Sequence, residues 1–433
     1  MHDPRLLLDP ATDAVRKLAR RGFTLDLPAL EKLFSQRTSV IGQADESRAE
    51  SNRVAKEVGA AARRGEDVTG LKENARALKT RVQELEEQQR GLAAELDEFL
   101  LGIPNLPSDE LPDGNSDEDA EQVSVWGEPP VFGFEPKDHV ELGEKLGIFD
   151  FTRATKLSGP RFSVTRGPGA RLERAIAAFL LELHTERHGY TEFSVPVIVN
   201  RPTMTGTGQL PKFEQDLFRT NVADRELFLI PTAEVPLTNL HAGETIPAER
   251  LPFAYTANTP CFRSEAGTYG KDTRGLIRLH QFQKVELVRF CTPDRSGAEF
   301  DLLLSHAETC LRELGLAYRV VRLAAGDIGF AAERTYDLEV WLPGQGRYRE
   351  VSSVSDFGTF QARRAGIRTK AKDGTRGFAG TLNGSGLPIG RTLVAILEQN
   401  QQADGSVVIP PALVPHTRFG RINADGTVGT VGE

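Results

Sequence analysis

The sequence is short of cysteine, of long apolar runs and of positive charge. Three cysteines in 433 residues, Cys261, Cys291 and Cys310, support no disulfide framework and no C-x-x-C zinc pair, and H-E-x-x-H is absent. Structural zinc is thereby excluded, and a reducing cytoplasm is the expected setting. MHDPRLLLDPATDAVRKLARR holds no signal-peptide core, and no run approaches the roughly 20 apolar residues of a membrane helix. No membrane partner is expected. Lys and Arg number 53 against 61 Asp and Glu, a net charge of −8, and as a sum this argues against a phosphate-rich partner. Nucleotide fingerprints are missing too. GTYGKDT (267–273) has too few residues between its glycines for a phosphate loop. GSGLPIG (384–390) places its last glycine one residue late for a dinucleotide turn and lacks a βαβ frame.

The charge is segregated, however. Arg48, Arg53, Lys56, Arg63, Arg64, Lys72, Arg76, Lys79 and Arg81 outnumber the acids around them, whereas Arg90 is nearly alone among the acids from Glu84 to Glu121. Leu71, Ala75, Leu78, Val82, Leu85, Gln89, Leu92, Leu96 and Phe99 alternate in steps of four and three, a heptad seam with one polar break. Leu33, Val40, Ala44, Val54, Val58 and Ala61 repeat it with smaller residues, and ARRGEDVTG (62–70) interrupts the two. A short break between heptad helices predicts an antiparallel hairpin over about 28–103, its basic tip near Arg63 and Arg64. A dimerisation seam would have the same spacing, but the internal turn lets the helices pair with each other and frees the basic face for a phosphate backbone.

Residues 109–122, rich in acids and closed off by prolines, predict a linker. The expected organisation is an N-terminal domain over 1–108 and a larger body over 123–433. In the body, RLERAIAAFLLELHTERHG (171–189) has a helical apolar face and a glycine stop. YTEFSVPVIVN, LFLIPTAEVPLTNL, FQKVELVRF and YDLEVWLP predict strands, with Pro196 at an edge, and FDLLLSHAETCLRELG a helix. Strands cluster without a strand, helix, strand beat, so the expected class is α+β, an antiparallel sheet flanked by helices. The tail FGRINADGTVGTVGE (419–433) is expected to be frayed.

One stretch, CFRSEAGTYGKDTRGLIRLHQFQKVELV (261–288), carries more charge than solubility requires. Arg263 and Glu265 fall on one face of a strand, and Phe282, Lys284 and Glu286 return on alternate positions. A guanidinium, a carboxylate and an aromatic on one sheet face suit a nucleoside phosphate beside an amine. A surface hairpin laced with ion pairs would look the same if the stretch stood alone.

It stands with PTAEVPLTNL (231–240), TYDLEVW (335–341), YREVSSVSDFGTFQARR (348–364) and TLNGSGLPIGRTLVAILE (381–398). In that order, across nearly the whole chain, these blocks resemble the bacterial type of seryl-tRNA synthetase, a family of class II aminoacyl-tRNA synthetases. The resemblance implies a class II catalytic domain behind a helical tRNA-binding arm, with Pro196 in the first class motif at a homodimer interface. It implies a serine-tRNA ligase that uses ATP and Mg2+ to form seryl-adenylate, then charges tRNA-Ser, and tRNA-Sec where present. Arg263, Glu265 and Arg391 become the expected catalytic residues, and Ser264, Arg278, Phe282, Glu350, Val351, Ser352 and Ser353 join them at ATP. Glu350 and Ser353 would hold the metal. Thr232, Ala233, Glu234, Arg263, Glu286, Asn383 and Ser385 would bind L-serine. Arg53, Lys56, Arg63, Arg64, Lys72, Arg76 and Lys79 on the arm, with Lys271 and Arg274, would bind tRNA. Val354, Asp356, Pro388 and Ile389 depart from the residues common among relatives, without removing a charged site group. A carrier-protein ligase and a non-catalytic RNA-binding paralogue are the alternatives; the long arm disfavours the first and the intact charged set the second.

Overall fold

The structure, a computed structural model, describes residues 1–266 and 274–429. The chain divides into two compact units, Met1–Ala19 with Phe23–Pro104, and Arg20–Gly22 with Asn105–Glu433.

The first unit is dominated by two helices, Leu27–Arg63 and Thr69–Leu101. Asp26 starts the first by accepting from Ala29 N at 3.0 Å, and Pro28 occupies the first turn, where no donor is needed. At 1.5 Å per residue the 37-residue helix extends about 55 Å. Val40, Ala44 and Leu85 are buried together with Leu92 packed on them, so the heptad seam does pair the helices with each other. Arg48 reaches across to Glu86 at 2.8 Å. Residues 64–68 make the turn, with Gly65 at φ 75° and the Asp67 carboxylate accepting from Thr69 N at 2.9 Å.

The second unit is built on an eight-stranded sheet in the order Glu121–Trp126, Tyr318–Arg322, Arg334–Leu342, Arg347–Asp356, Gly380–Pro388, Gln281–Cys291, Phe253–Phe262, Thr191–Glu192. Every pairing is antiparallel except the last. Both faces are covered at the centre, as the middle strands require. On Gln281–Cys291 the odd positions Val285, Leu287 and Cys291 enter one apolar core with helices Pro168–Glu182, Ser296–Glu313 and Ile389–Gln399. The even positions Val288 and Phe290 enter a second core with Ala233, Leu237, Ala257 and Ala362. Phe282, Lys284 and Glu286 share that second face. The strand therefore anchors the molecule at one end and presents chemistry at the other.

Four expectations are corrected. The acidic stretch 109–122 is no free linker: Leu111 is buried, Asp119 accepts from Asn115 N and Ser116 Oγ at 2.9 Å, and Glu121–Trp126 forms the sheet's edge strand. LFLIPTAEVPLTNL is a strand only to Leu229; Glu234–Asn239 is a short helix, with Pro236 in its first turn and Thr232 Oγ1 accepting from Glu234 N at 3.2 Å. In YTEFSVPVIVN only Thr191–Glu192 and Ile198–Val199 are strands, and Pro196 is exposed between them. The tail is not frayed through 429: Arg421–Ile422 pairs with Val407–Val408 and Val428–Gly429, and Phe419 is buried.

Candidate active site

The open end of the second sheet face lines a cavity of about 570 Å³. Chain turns as well as strands place its side chains. Arg263 and Glu265, expected on one strand face, instead lie beyond the end of strand Phe253–Phe262; Arg263 N donates to His280 O at 3.0 Å, holding the two sides of the hairpin together. Glu265 lies in the left-handed region at φ 53°, as does the buried Leu387 at φ 82°. For residues with a Cβ this costs about 1–2 kcal/mol each, tolerated where the surroundings fix the backbone; Glu265 lines the cavity, and Leu387, buried in the apolar core, lies between the lining residues Ser385 and Pro388. Close packing fixes Gly386: an added Cβ would stand 2.8 Å from His184 Nε2.

One end of the cavity is cationic and aromatic. The Arg263 guanidinium lies 5.3 Å from the Phe282 ring centroid, and its Nε donates to Pro231 O at 3.3 Å. Arg278 pairs with Glu265 at 2.5 Å. Arg391, at the start of Ile389–Gln399, donates to Ile277 O and Glu350 O at 3.2 and 2.9 Å and meets the Glu350 carboxylate at 3.2 Å. Arg391 holds the Glu350 carboxyl below its ordinary range, with Arg263 adding to the effect and burial opposing it. Glu350 and Ser353 both line the cavity although three residues apart on one strand, which period two would forbid. A bulge resolves this. Opposite Leu338 stands Ser352 and opposite Glu339 stands Glu350, so Val351 is extra and turns into the apolar core.

The other end is a hydrogen-bonded set of carboxylates. Glu286 is fully buried; it accepts from Thr232 Oγ1 at 2.6 Å and Asn383 Nδ2 at 3.0 Å, and pairs with Lys284. Glu234 accepts from Asn383 Nδ2 at 3.2 Å and Gln361 Nε2 at 2.6 Å. Burial pushes the Glu234 carboxyl up to about 7, with the Glu286 charge adding to this and the Gln361 bond, Lys284 and Arg263 opposing it. Ser385, directly opposite Glu286 in the ladder, completes this end.

Thus Thr232, Glu234, Arg263, Glu265, Arg278, Phe282, Glu350, Ser353, Asn383, Ser385 and Arg391 converge on one cavity. Others of the expected set do not reach it with their side chains. Ala233 is packed in one apolar core and the buried Ser352 donates to Ser385 O at 2.8 Å, whereas Val351 belongs to the opposite core and still contributes to the cavity lining. The Ser264 hydroxyl donates to Gln215 O at 2.7 Å, and Glu286 stands behind its bonded neighbours. Arg274 is exposed, and Lys271 lies outside the described residues. On the arm, Lys56, Arg63, Lys72, Arg76 and Lys79 are exposed, whereas Arg53 and Arg64 pair with Glu50 and Glu66, both at 2.6 Å. Sequence reasoning left Asp337 and Gln361 unnamed. Asp337 lines the cavity with a buried Oδ1 that has no hydrogen-bond partner, and burial beside Glu350 pushes its carboxyl well up. Alternation on YDLEVWLP signals that Asp337 shares a face with Glu339; nothing local signals Gln361.

Known proteins match this arrangement. Residues 213–400 fit the tRNA synthetase class II core domain (G, H, P, S and T), and residues 1–107 the seryl-tRNA synthetase N-terminal domain. The serine-tRNA ligase 2 of Streptomyces avermitilis is 59% identical over 98% of this chain and 99% of its own. The serine-tRNA ligase of Geobacter sulfurreducens is 52% identical over 96% and 98%. The crystal structure of seryl-tRNA synthetase from Pyrococcus horikoshii complexed with ATP superposes with a TM-score of 0.88 at 34% identity, covering 98% of this chain and 99% of that one. With a helical hairpin, an antiparallel class II core and near full-length identity at this level, the chain belongs to the seryl-tRNA synthetases, the serine-tRNA ligases of class II.

Proposed function

We propose that this chain activates L-serine with ATP and transfers it to the 3′ end of tRNA-Ser, and of tRNA-Sec where that tRNA exists. The observation that carries the reading is one cavity with two chemical ends, where the charge of Arg263 acts on both Glu350 and Glu234. At the cationic end, Phe282 and Arg391 would sandwich adenine and Glu265 would accept from its amino group. Arg278 would exchange Glu265 for the terminal phosphates, one anionic partner for another. At the carboxylate end, Thr232, Glu234, Asn383 and Ser385 suit the ammonium and hydroxyl of serine, and Glu286 would act from behind through its bonds to Thr232 and Asn383. A site built to bond a hydroxyl rejects alanine strongly, because its own polar groups would be left unpaired.

Between the ends, a serine carboxylate oxygen attacks the α-phosphorus as the bond to pyrophosphate breaks. Arg263 would neutralise the charge gathered there, and fixed positions rather than a general base carry the step. A ribose hydroxyl of the tRNA terminus then attacks the adenylate carbonyl and AMP leaves. Hard oxygen donors suit a magnesium ion. Glu350, held ionised by Arg391, and Ser353 would hold it, and the orphaned Asp337 oxygen fits the same neighbourhood. Bound, the ion would screen the phosphates. The exposed cations of the arm would grip the tRNA backbone through phosphate contacts. A second copy would pack near the exposed Pro196, and the setting would be cytoplasmic; no described helix is long and apolar enough to cross a membrane.

Exchange of pyrophosphate into ATP tests the activation step. Serine is expected to support it, with alanine and glycine, which lack the hydroxyl, at least a hundredfold weaker. Equal exchange with alanine, or none with any amino acid, would contradict the reading.

A further inference from the structure

Gln361 is fully buried on helix Phe360–Ala365 and makes every bond its amide can direct inward. Its Nε2 donates to Glu234 Oε1 at 2.6 Å and to Thr207 O at 3.3 Å, while Oε1 accepts from Thr381 Oγ1 at 2.8 Å. The Thr207 carbonyl can only accept, so the amide cannot be reversed without opposing two acceptors. Thr381 is itself fully buried on strand Gly380–Pro388, two residues before Asn383. The chain Thr381 to Gln361 to Glu234 therefore runs from the sheet interior to the cavity. It occupies Oε1 of Glu234, while Oε2 lies 3.2 Å from Nδ2 of Asn383, a residue of the cavity lining.

We infer that Gln361 is a positioning residue for the amino-acid end of the cavity: it locks one oxygen of Glu234 so that the other meets the bound amino acid. The inference rests on the reading that Glu234 binds serine. A buried carboxylate bonded by a fixed donor is both oriented and favoured in its charged form. Glu286 and Lys284 on the neighbouring strand, and Arg263, are the charged groups that act on it besides. Their contributions survive a change at Gln361, so its effect is separable.

The test compares Gln361→Met, similar in length but without the donor, with Thr381→Val and Glu234→Gln, reading serine KM, ATP KM and kcat in pyrophosphate exchange from pH 6 to 9. For Q361M the serine KM at neutral pH is expected to rise by about tenfold or more, the worth of one bond to a charged group. ATP KM stays within about twofold, and the pH at which serine binding tightens moves upward. Thr381→Val is expected to move the same quantities the same way by less, and serves if Q361M fails to fold. A rise in serine KM for E234Q but none for Q361M or T381V would overturn the inference alone. No rise for E234Q would overturn the reading beneath it. Equal rises in serine and ATP KM for Q361M would reduce Gln361 to a packing residue.

Discussion

Burying Glu234 beside Glu286 makes one residue report on pH. Its carboxyl is raised from an ordinary 4.5 to about 7. A raised carboxyl contributes stability that is fully present below about pH 4.5 and is lost as pH rises through about 7. The difference is of order 3 kcal/mol. Glu234→Gln, which cannot ionise, is expected to unfold in urea with a midpoint that gains on the parent from pH 4.5 to 8; parallel midpoints would contradict the buried charge. Legibility at this scale was uneven. Phe282, Lys284 and Glu286 lie on one strand, where alternation groups them, whereas Arg263 and Glu265 lie past the end of Phe253–Phe262 and reach the cavity through the turn. Glu350 and Ser353 are joined only by the extra Val351, and a bulge leaves no mark in composition. Gln361 stands 127 residues from Glu234 and looks like any polar residue on a short helix.

Periodicity is strongest where elements are long. The heptad steps outline two helices of 37 and 33 residues, and the same steps identify which residues hold them together. Leu85 is 1% exposed in the seam, whereas Arg48 and Glu86 are about half exposed. Leu85→Ala is therefore expected to cost about 2–5 kcal/mol of arm stability. Arg48→Ala should cost little, and that little should vanish in high salt. Hydrogen exchange across residues 27–101 checks both, and equal protection in the two variants would contradict the packing account. Short elements were less legible. PTAEVPLTNL follows an apolar run that continues the preceding strand, and the proline and the Thr232 hydroxyl, which accepts from Glu234 N, divert it into a helix. The acidic stretch 109–122 has a loop's composition, yet its end pairs along Tyr318–Arg322, a partner some two hundred residues away that no local pattern announces.

For the whole molecule, the net charge of −8 conceals how charge is distributed. The exposed cations at the arm tip occupy one compact unit, and the carboxylates that would bind an amino acid lie within the other. An acidic chain can thus bind a polyanion if the cations are gathered on one surface. Composition alone pointed away from nucleic acid; the order of charge along the chain, and the family blocks, pointed back. Activation and tRNA binding then belong to one serine-specific enzyme. Acylation of total tRNA with labelled serine, threonine and alanine by the intact chain tests it most directly. Serine alone is expected to become esterified to tRNA, in a fraction that hybridises to serine anticodon probes, and charging is expected to weaken steeply as salt rises. Serine-dependent pyrophosphate exchange with no esterified tRNA, or esterification of threonine or alanine at a comparable rate, would contradict it.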